Sequence, residues 1–202
     1  MKKLFIKADT VRNNGFALAK KLIEQNYIPD VMYISMRGGA PLGNAINEFF
    51  KIALGKNYKT IFATLVAHSY SGIQQQSEVI FDGWTHELGK LDTNQKILIV
   101  DDICDSGATL QKLAETFKDI QFPSENVRFA VHDYKCFHYE GARSVGFVPD
   151  YYCNVYNIHS EQENLWIHYL SHELFGLTDE EFRKHYLEDY PELKSIFEGI
   201  LV

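Results

Sequence analysis

Ile97-Leu-Ile-Val-Asp-Asp-Ile-Cys-Asp-Ser-Gly-Ala-Thr109 is the stretch of this 202-residue chain that decides its fold. Four apolar residues in a row, Ile97–Val100, predict a buried parallel strand. Asp101 and Asp102 follow at its carboxyl end, and the small residues after Asp105 lead into a helical pattern. Ligands of open α/β sheets bind beyond the carboxyl ends of the strands. We therefore expect a binding site at this turn.

The turn after this strand has the composition of an anion-binding loop. Residues 106–109 are Ser, Gly, Ala and Thr, whose small side chains let backbone N–H groups close around a phosphate. Two adjacent acids suit vicinal sugar hydroxyls and Mg²⁺. Acids followed by Ser-Gly also occur in ordinary turns. The order of apolar strand, acid pair, third acid, small-residue turn and helix favours a site for a phosphorylated sugar.

Strands and helices alternate on both sides of this motif. Apolar runs or alternating patterns predict strands, and apolar residues at helical spacing predict helices. Such alternation indicates an α/β fold with a doubly wound, largely parallel sheet flanked by helices. The predicted strands cover residues 31–35, 59–67, 96–101, 127–134 and 151–156, and the predicted helices cover residues 10–26, 41–54 and 108–119.

Two segments stand outside this alternation. Residues 68–92 are polar and rich in turn-forming residues, and a loop of that length in a compact domain is usually functional or mobile. Near the C-terminus, Thr178-Asp-Glu-Glu181 has the pattern of a capping box and predicts the start of a helix. We predict a core of residues 1–175 and a C-terminal helical extension of residues 176–202.

Composition restricts the class of protein. Apolar residues make up 46% of the chain, which is ordinary for one globular domain. The net charge of −7 argues against nonspecific nucleic-acid binding, since Lys and Arg contacts dominate that affinity. No apolar run approaches the roughly 20 residues that cross a bilayer, and the segment after Lys2 and Lys3 lacks the apolar region of a signal peptide. Three cysteines without CxxC spacing indicate reduced thiols and a cytoplasmic protein.

The ordered motif of residues 97–109 resembles the 5-phosphoribosyl-1-pyrophosphate signature of the type I phosphoribosyltransferases. Cys104 departs from that signature, because an aliphatic residue is usual there. The resemblance implies a doubly wound core with a small hood, a Mg²⁺ cofactor and a homodimer or homotetramer. It implies that Asp101 and Asp102 hold the ribose hydroxyls, directly or through metal and water. The resemblance assigns the 5-phosphate to the turn residues Ser106, Gly107, Ala108 and Thr109.

A second loop, Ser35-Met-Arg-Gly-Gly39, also follows a predicted strand and precedes a predicted helix. Its glycines permit close backbone approach to an anion, and Arg37 can neutralise negative charge. Alone, the pattern favours a plain Gly-Gly turn. Beside the first motif, it resembles the pyrophosphate loop of the purine phosphoribosyltransferases. The resemblance implies that Arg37, Gly38 and Gly39 receive pyrophosphate and that the Met36–Arg37 peptide bond is a candidate for the cis form.

Further short motifs resemble the purine branch of that family. Ser69-Tyr70 resembles a pair in a mobile loop that closes over the reaction centre, although a surface Ser-Tyr pair is common. Lys135, Pro149-Asp-Tyr-Tyr152 and Trp166-Ile167 resemble the xanthine-guanine and hypoxanthine type. That resemblance implies that Lys135 bonds the exocyclic oxygen of a 6-oxopurine, Trp166 stacks on the base and the Ile167 carbonyl contacts its two-position. A position in the core is the alternative for Trp166.

The segment after Trp166 departs from the pattern of those enzymes. By the resemblance, Glu173 is the candidate for an acid that helps hold a second Mg²⁺ through water. His168 and His172 have the i, i+4 spacing of zinc ligands on a helix, but Tyr169 stands where the metalloprotease motif requires Glu. A satisfied or exposed histidine pair is therefore the favoured interpretation.

Asp105 is the predicted catalytic residue. It lies three residues past Asp102, where its carboxylate can take the proton of the attacking purine ring or stabilise positive charge on the sugar. The predicted reaction gives a nucleoside 5′-monophosphate and pyrophosphate from small-molecule substrates, with neither nucleic acid nor membrane as partner. The alternatives are a non-catalytic phosphoribosyl-pyrophosphate-binding regulatory protein and a phosphoribosyltransferase for another base.

Overall fold

The computed structural model describes residues 2–70 and 78–197, and for residues 68–70 and 78–80 it describes the backbone alone. Its strands are β1 Lys3–Ile6, β2 Val31–Met36, β3 Ile61–Tyr70, β4 Glu78–Asp82, β5 Ile97–Cys104, β6 Val127–Phe137, β7 Tyr151–Ile158 and β8 Trp166–Tyr169. Its α-helices are α1 Ala8–Glu24, α2 Ala40–Leu54, α3 Ala108–Asp119, α4 Asp179–Phe182 and α5 Lys194–Phe197.

Residues 9–164 form one compact unit around a six-stranded sheet. The strand order is β4-β3-β2-β5-β6-β7, and every neighbouring pair is parallel except β3 with β4. Leu110, Leu113 and Phe117 of α3 pack on one face of the sheet. Helix α2 packs on the other face, where a Cβ at Gly43 would collide with Ile34 of β2. The predicted α/β architecture is therefore confirmed.

The stretch that decides the fold lies in the middle of this sheet. Ile97–Val100 of β5 are completely buried, with Val31 of β2 and Val127 of β6 paired to Ile97 from its two sides. Removing each such side chain from water contributes about 1.5–3 kcal/mol to folding. The uninterrupted apolar run is thus the expected sequence of a strand with both faces covered.

The second unit groups Met1–Ala8 with Leu165–Val202. Within it β1 pairs in parallel with β8, so that Lys3 stands opposite Trp166. The predicted capping box is confirmed, because the Glu181 N–H donates to Thr178 Oγ1 at 3.2 Å and the Thr178 N–H donates to Glu181 Oε2 at 2.9 Å. Lys3 Nζ also lies 2.6 Å from Glu181 Oε2. The division of the chain after residue 175 stays a prediction.

Part of the predicted polar loop of residues 68–92 is regular structure. Strand β3 continues to Tyr70, and β4 pairs with it antiparallel in a register that sets Ser69 opposite Val79. Pairing between segments that are distant in sequence forms this edge, and the weak local alternation gave little indication of it. Residues 71–77 lie outside the described residues, and mobility of this loop stays a prediction.

Candidate active site

Strand β5 delivers the acid pair to the carboxyl edge of the sheet. Asp101 is buried, and its Oδ1 accepts the Asp102 N–H at 3.0 Å. Burial raises the pKa of Asp101 well above its ordinary value, and the neighbouring Asp102 raises it further, while a hydrogen bond with Ser35 opposes the shift. A buried carboxyl beside a second carboxylate suits a ligand that brings hydroxyl donors or a cation.

The loop after β2 lies directly against this acid pair. A Cβ at Gly38 would collide with the carboxylate of Asp102, and a Cβ at Gly39 would stand 2.5 Å from the Val100 carbonyl oxygen. Both positions therefore need glycine because the loop after β2 approaches β5 closely. The Met36–Arg37 peptide bond is cis, as the resemblance implied. The structure thus brings the predicted pyrophosphate loop against the acid pair of β5.

The turn at residues 106–109 has the backbone of an anion loop. Gly107 adopts a φ of +83°, and α3 begins at the next residue. Ser106 Oγ accepts the Ala108 N–H at 3.3 Å. The N-cap residue Gly107 has no side chain with which to cap α3, so the Ser106 hydroxyl meets the first N–H of the helix at its positive end. This geometry suits a phosphate at the start of the helix.

Residues 145–147, which no motif of the sequence indicated, support the turn through direct contacts. The Val145 N–H donates to the Ser106 carbonyl at 2.9 Å, and Cys104 Sγ lies 3.8 Å from the Phe147 carbonyl oxygen. A Cβ at Gly107 would stand 2.9 Å from Phe147 Cβ. These contacts arise from tertiary packing, which local sequence patterns do not report.

In β5 and β6, the alternation of side chains between the two faces of the sheet shifts by one residue near the site. An unshifted two-residue period would point Lys135 to the face covered by α3, because it shares odd numbering with Val131. The shift turns Lys135 away from that face instead. The side chains that belong to the apolar cluster on that face are Ile97, Ile99 and Cys104 in β5 and Val127, Phe129, Val131 and Tyr134 in β6.

Lys135 and Asp105 come together at the edge of a cavity. Lys135 Nζ lies 3.1 Å from Asp105 Oδ1, and it donates to Asn164 Oδ1 at the same distance. The Lys135 side chain is 3% exposed, whereas that of Asp105 is 50% exposed. No motif of the sequence indicated Asn164. The cavity measures about 650 Å³, and its lining includes Asp105, Ser106, Phe137, Tyr139, Arg143 and Asn164.

A buried polar network fixes the middle of β6. His132 Nδ1 lies 2.8 Å from Asp133 Oδ2, and Asn14 of α1 lies 3.0 Å from His132 Nε2. The Asn14 amide can only donate there, so the proton of a neutral ring lies on Nδ1 and faces Asp133. Asn154 of β7 donates to Asp133 at 2.8 Å. The strand that carries Lys135 is thereby held to α1 and β7.

The remaining predicted base and metal residues belong to the second unit. Trp166 is 46% exposed, and Ile167 is buried. Glu173 Oε2 accepts the Tyr169 N–H at 2.9 Å and lies 3.7 Å from His168 Nδ1, so this oxygen is engaged within its own unit. Base contacts of Trp166 and Ile167 and metal binding by Glu173 stay predictions.

His168 and His172 do not lie on a helix, and His168 fits the favoured interpretation of a satisfied histidine. His168 lies in strand β8, where pairing with β1 overrides local preference, and His172 lies in the following turn. His168 is buried, and its Nε2 lies 3.0 Å from the Glu173 carbonyl oxygen. Over residues 2–70 and 78–197, no group of three or more His, Cys, Asp or Glu side chains could hold a metal ion.

Ser69 and Tyr70 form the end of β3 through their backbone. Their side chains lie outside what the structure describes, so their part in closing the site stays a prediction.

The fold and the two loops define a class of protein. A largely parallel α/β sheet carries the two predicted anion loops after β2 and β5 and an acid pair at the carboxyl edge of β5, where ligands of such sheets bind. The family model described as phosphoribosyl transferase domain matches residues 10–135. The chain belongs to this family, and its fold is that of the type I phosphoribosyltransferases.

Solved structures share this fold at low sequence identity. A purine phosphoribosyltransferase from Pyrococcus horikoshii is 24% identical, with a TM-score of 0.61 over 89% of this chain and 99% of that one. A hypothetical protein from Neisseria gonorrhoeae with bound ppGpp is 19% identical, with a TM-score of 0.62 over 86% and 91%. The xanthine-guanine-hypoxanthine phosphoribosyltransferase of Helicobacter pylori is 18% identical, with a TM-score of 0.56 over 94% and 99%. No curated protein sequence matches this chain.

Among the described residues, no helix combines the length and apolar character that crossing a membrane requires.

Proposed function

We propose that this chain transfers the phosphoribosyl group of 5-phosphoribosyl-1-pyrophosphate to a 6-oxopurine. The products are a nucleoside 5′-monophosphate and pyrophosphate. The observation that carries the proposal is the ion pair of Lys135 and Asp105 beside the turn of residues 106–109. Two of the similar structures are purine phosphoribosyltransferases, which supports a purine as the second substrate.

The donor is held by the two loops and the acid pair. Ser106–Thr109 bind the 5-phosphate through backbone N–H groups and two hydroxyls. Arg37 and the Gly38 amide receive the pyrophosphate, and Gly39, whose N–H donates to the Ser35 carbonyl at 2.9 Å, lets the loop approach β5 closely. Asp101 and Asp102 bind the ribose hydroxyls, and the high pKa of the buried Asp101 fits a carboxyl that waits for a donor or cation.

Mg²⁺ is the cofactor that this donor set fits. Asp101 and Asp102 are the residues that hold it, directly or through water, together with oxygens of the substrate. When bound, Mg²⁺ would supply positive charge near the pyrophosphate, and Asp101 and Asp102 would hold it.

Asp105 serves the second substrate. As the purine attacks the anomeric carbon, the carboxylate of Asp105 takes the proton from the five-membered ring. The same charge stabilises the oxocarbenium character of the sugar. Lys135 has donors only, so it matches the exocyclic oxygen of hypoxanthine, guanine or xanthine and not the amino group of adenine.

Pyrophosphate release tests this function. The protein is mixed with the donor and Mg²⁺, and each of hypoxanthine, guanine, xanthine and adenine is added separately. We expect release that depends on a 6-oxopurine and is at least about tenfold slower with adenine, because one mismatched hydrogen bond to a charged group has that effect. Tight donor binding without release from any base contradicts the proposal and favours a phosphoribosyl-pyrophosphate-binding regulator. Release with a pyrimidine alone favours a different acceptor.

A further inference from the structure

Asn164 contacts the lysine that forms an ion pair with Asp105. It follows the short helical turn Glu161–Glu163 and lines the cavity that Asp105 and Ser106 also line. Its side-chain oxygen accepts a hydrogen bond from Lys135 Nζ at 3.1 Å. The Lys135 ammonium therefore lies between Asp105 and Asn164.

The burial of Lys135 makes its two partners important. A lysine that is 4% exposed needs acceptors for its ammonium group, since unpaired buried charge is costly. An ammonium has three N–H donors in tetrahedral directions. Among the described residues, Asp105 and Asn164 supply two acceptors at hydrogen-bond distance, which fixes the direction of the third donor.

Without Asn164, Asp105 is the one partner that these two contacts leave to the ammonium. The ammonium is then free to pivot toward the carboxylate, because one contact restrains a four-carbon side chain less than two contacts do. The direction of the remaining N–H is lost with that second contact. Asn164 and Asp105, which both line the cavity, thus set the direction of the remaining N–H of Lys135.

We propose that Asn164 is a positioning residue for base recognition: it orients the Lys135 ammonium toward the exocyclic oxygen of a 6-oxopurine. The inference rests on the proposed function and names the residue that gives the lysine its selectivity for oxygen. Asn164 acts through Lys135, so its effect is confined to bases that carry the exocyclic oxygen.

Nucleotide binding tests this inference without turnover. Calorimetry compares inosine 5′-monophosphate with purine riboside 5′-monophosphate, which lacks the exocyclic oxygen, on the wild-type protein, N164L, N164D and the exposed neighbour variant Q162L. We expect N164L to weaken the inosine nucleotide by roughly 10- to 100-fold, the effect of a lost charged hydrogen bond, and the purine riboside nucleotide by less than about threefold. N164D keeps an acceptor for Lys135 and retains most of the preference for the inosine nucleotide, as does Q162L.

The outcomes separate the two proposals. An unchanged preference in N164L, or an equal loss for both nucleotides, overturns the positioning role alone. A wild-type protein that binds neither nucleotide contradicts the proposed function and this inference together. In K135M, the N164L substitution has no further effect on the ratio of the two affinities if Asn164 acts through the lysine.

Discussion

Single residues at this site carry opposite structural demands. Gly38 and Gly39 are needed because a Cβ at either position would collide with atoms of β5. Asp101 is needed for a charge that its surroundings oppose, because burial and Asp102 both raise its pKa. Such strained chemistry is typical of residues retained for ligands and not for stability.

The substitution G38A tests the close approach of the loop after β2 to Asp102 of β5. The added methyl group collides with the carboxylate of Asp102, so this side chain must leave the position that we assign to ribose binding. We expect at least a tenfold loss of affinity for 5-phosphoribosyl-1-pyrophosphate by calorimetry, equal to about 1.4 kcal/mol. G89A is the matched control, because no atom lies within 4 Å of a Cβ there. Equal donor affinity in G38A and the wild-type protein contradicts the assignment.

The pKa of Asp101 predicts a pH-dependent cost in stability. Its carboxyl ionises near 3.8 in the unfolded chain and at higher pH in the folded protein. Between these two pH values the folded state holds a proton that the unfolded state has lost, so stability falls as the pH rises and stays lower above that window.

D101N removes this cost while keeping an oxygen that accepts the Asp102 N–H. At pH 7 we expect its Tm to rise by a few degrees and its affinity for the donor with Mg²⁺ to fall, as in other trades of stability for function. Thermal unfolding at pH 4 and pH 7 measures the effect, with the exposed D119N as control. A lower Tm at pH 7 in D101N would show that the carboxylate is stabilised by the fold.

At the scale of elements, the site depends on contacts between segments that are distant in sequence. The segment 145–147 supports the phosphate turn through Ser106, Cys104 and Gly107. The ring of Phe147 also packs edge-on against Phe129 of β6 at 5.1 Å between centroids. Helix α3 therefore starts from a turn that is held from behind.

F147A tests this support. Loss of the ring removes packing on Phe129 and loosens the turn at Gly107, so we expect about 2 kcal/mol lower stability and a several-fold higher KM for the donor. Urea unfolding and initial-rate kinetics measure these two effects. V148A is the control, because Val148 is 63% exposed and its truncation changes stability by less than about 0.5 kcal/mol. A loss of stability with unchanged donor KM would restrict Phe147 to a packing role.

At the scale of the whole molecule, the sequence predicts the elements whose signals are local. The apolar run of β5 and the pattern of α3 gave the central motif, and the helix bounds of Ala108–Asp119 agree with the prediction. What was missed depends on tertiary pairing. Strand β4 forms on β3, β8 forms on β1, and Asn164 reaches Lys135 across 29 residues of sequence. The side-chain shift that turns Lys135 toward the site involves two strands together, so no periodicity within one strand predicts it.

We propose that the site has a donor half and an acceptor half. In this proposal Asp101 and Asp102 organise the sugar, and Asp105 with Lys135 serves the base. The variant D105N keeps the size of the side chain but removes the carboxylate that takes the proton.

The most direct measurement compares donor affinity with turnover in D105N. Calorimetry gives the Kd of 5-phosphoribosyl-1-pyrophosphate with Mg²⁺, and pyrophosphate release gives kcat with the best 6-oxopurine, with D119N as control. We predict a donor Kd within about threefold of the wild-type value and a kcat at least about 100-fold lower. Full turnover in D105N, or a loss of donor binding that matches the loss of turnover, would contradict the division of roles.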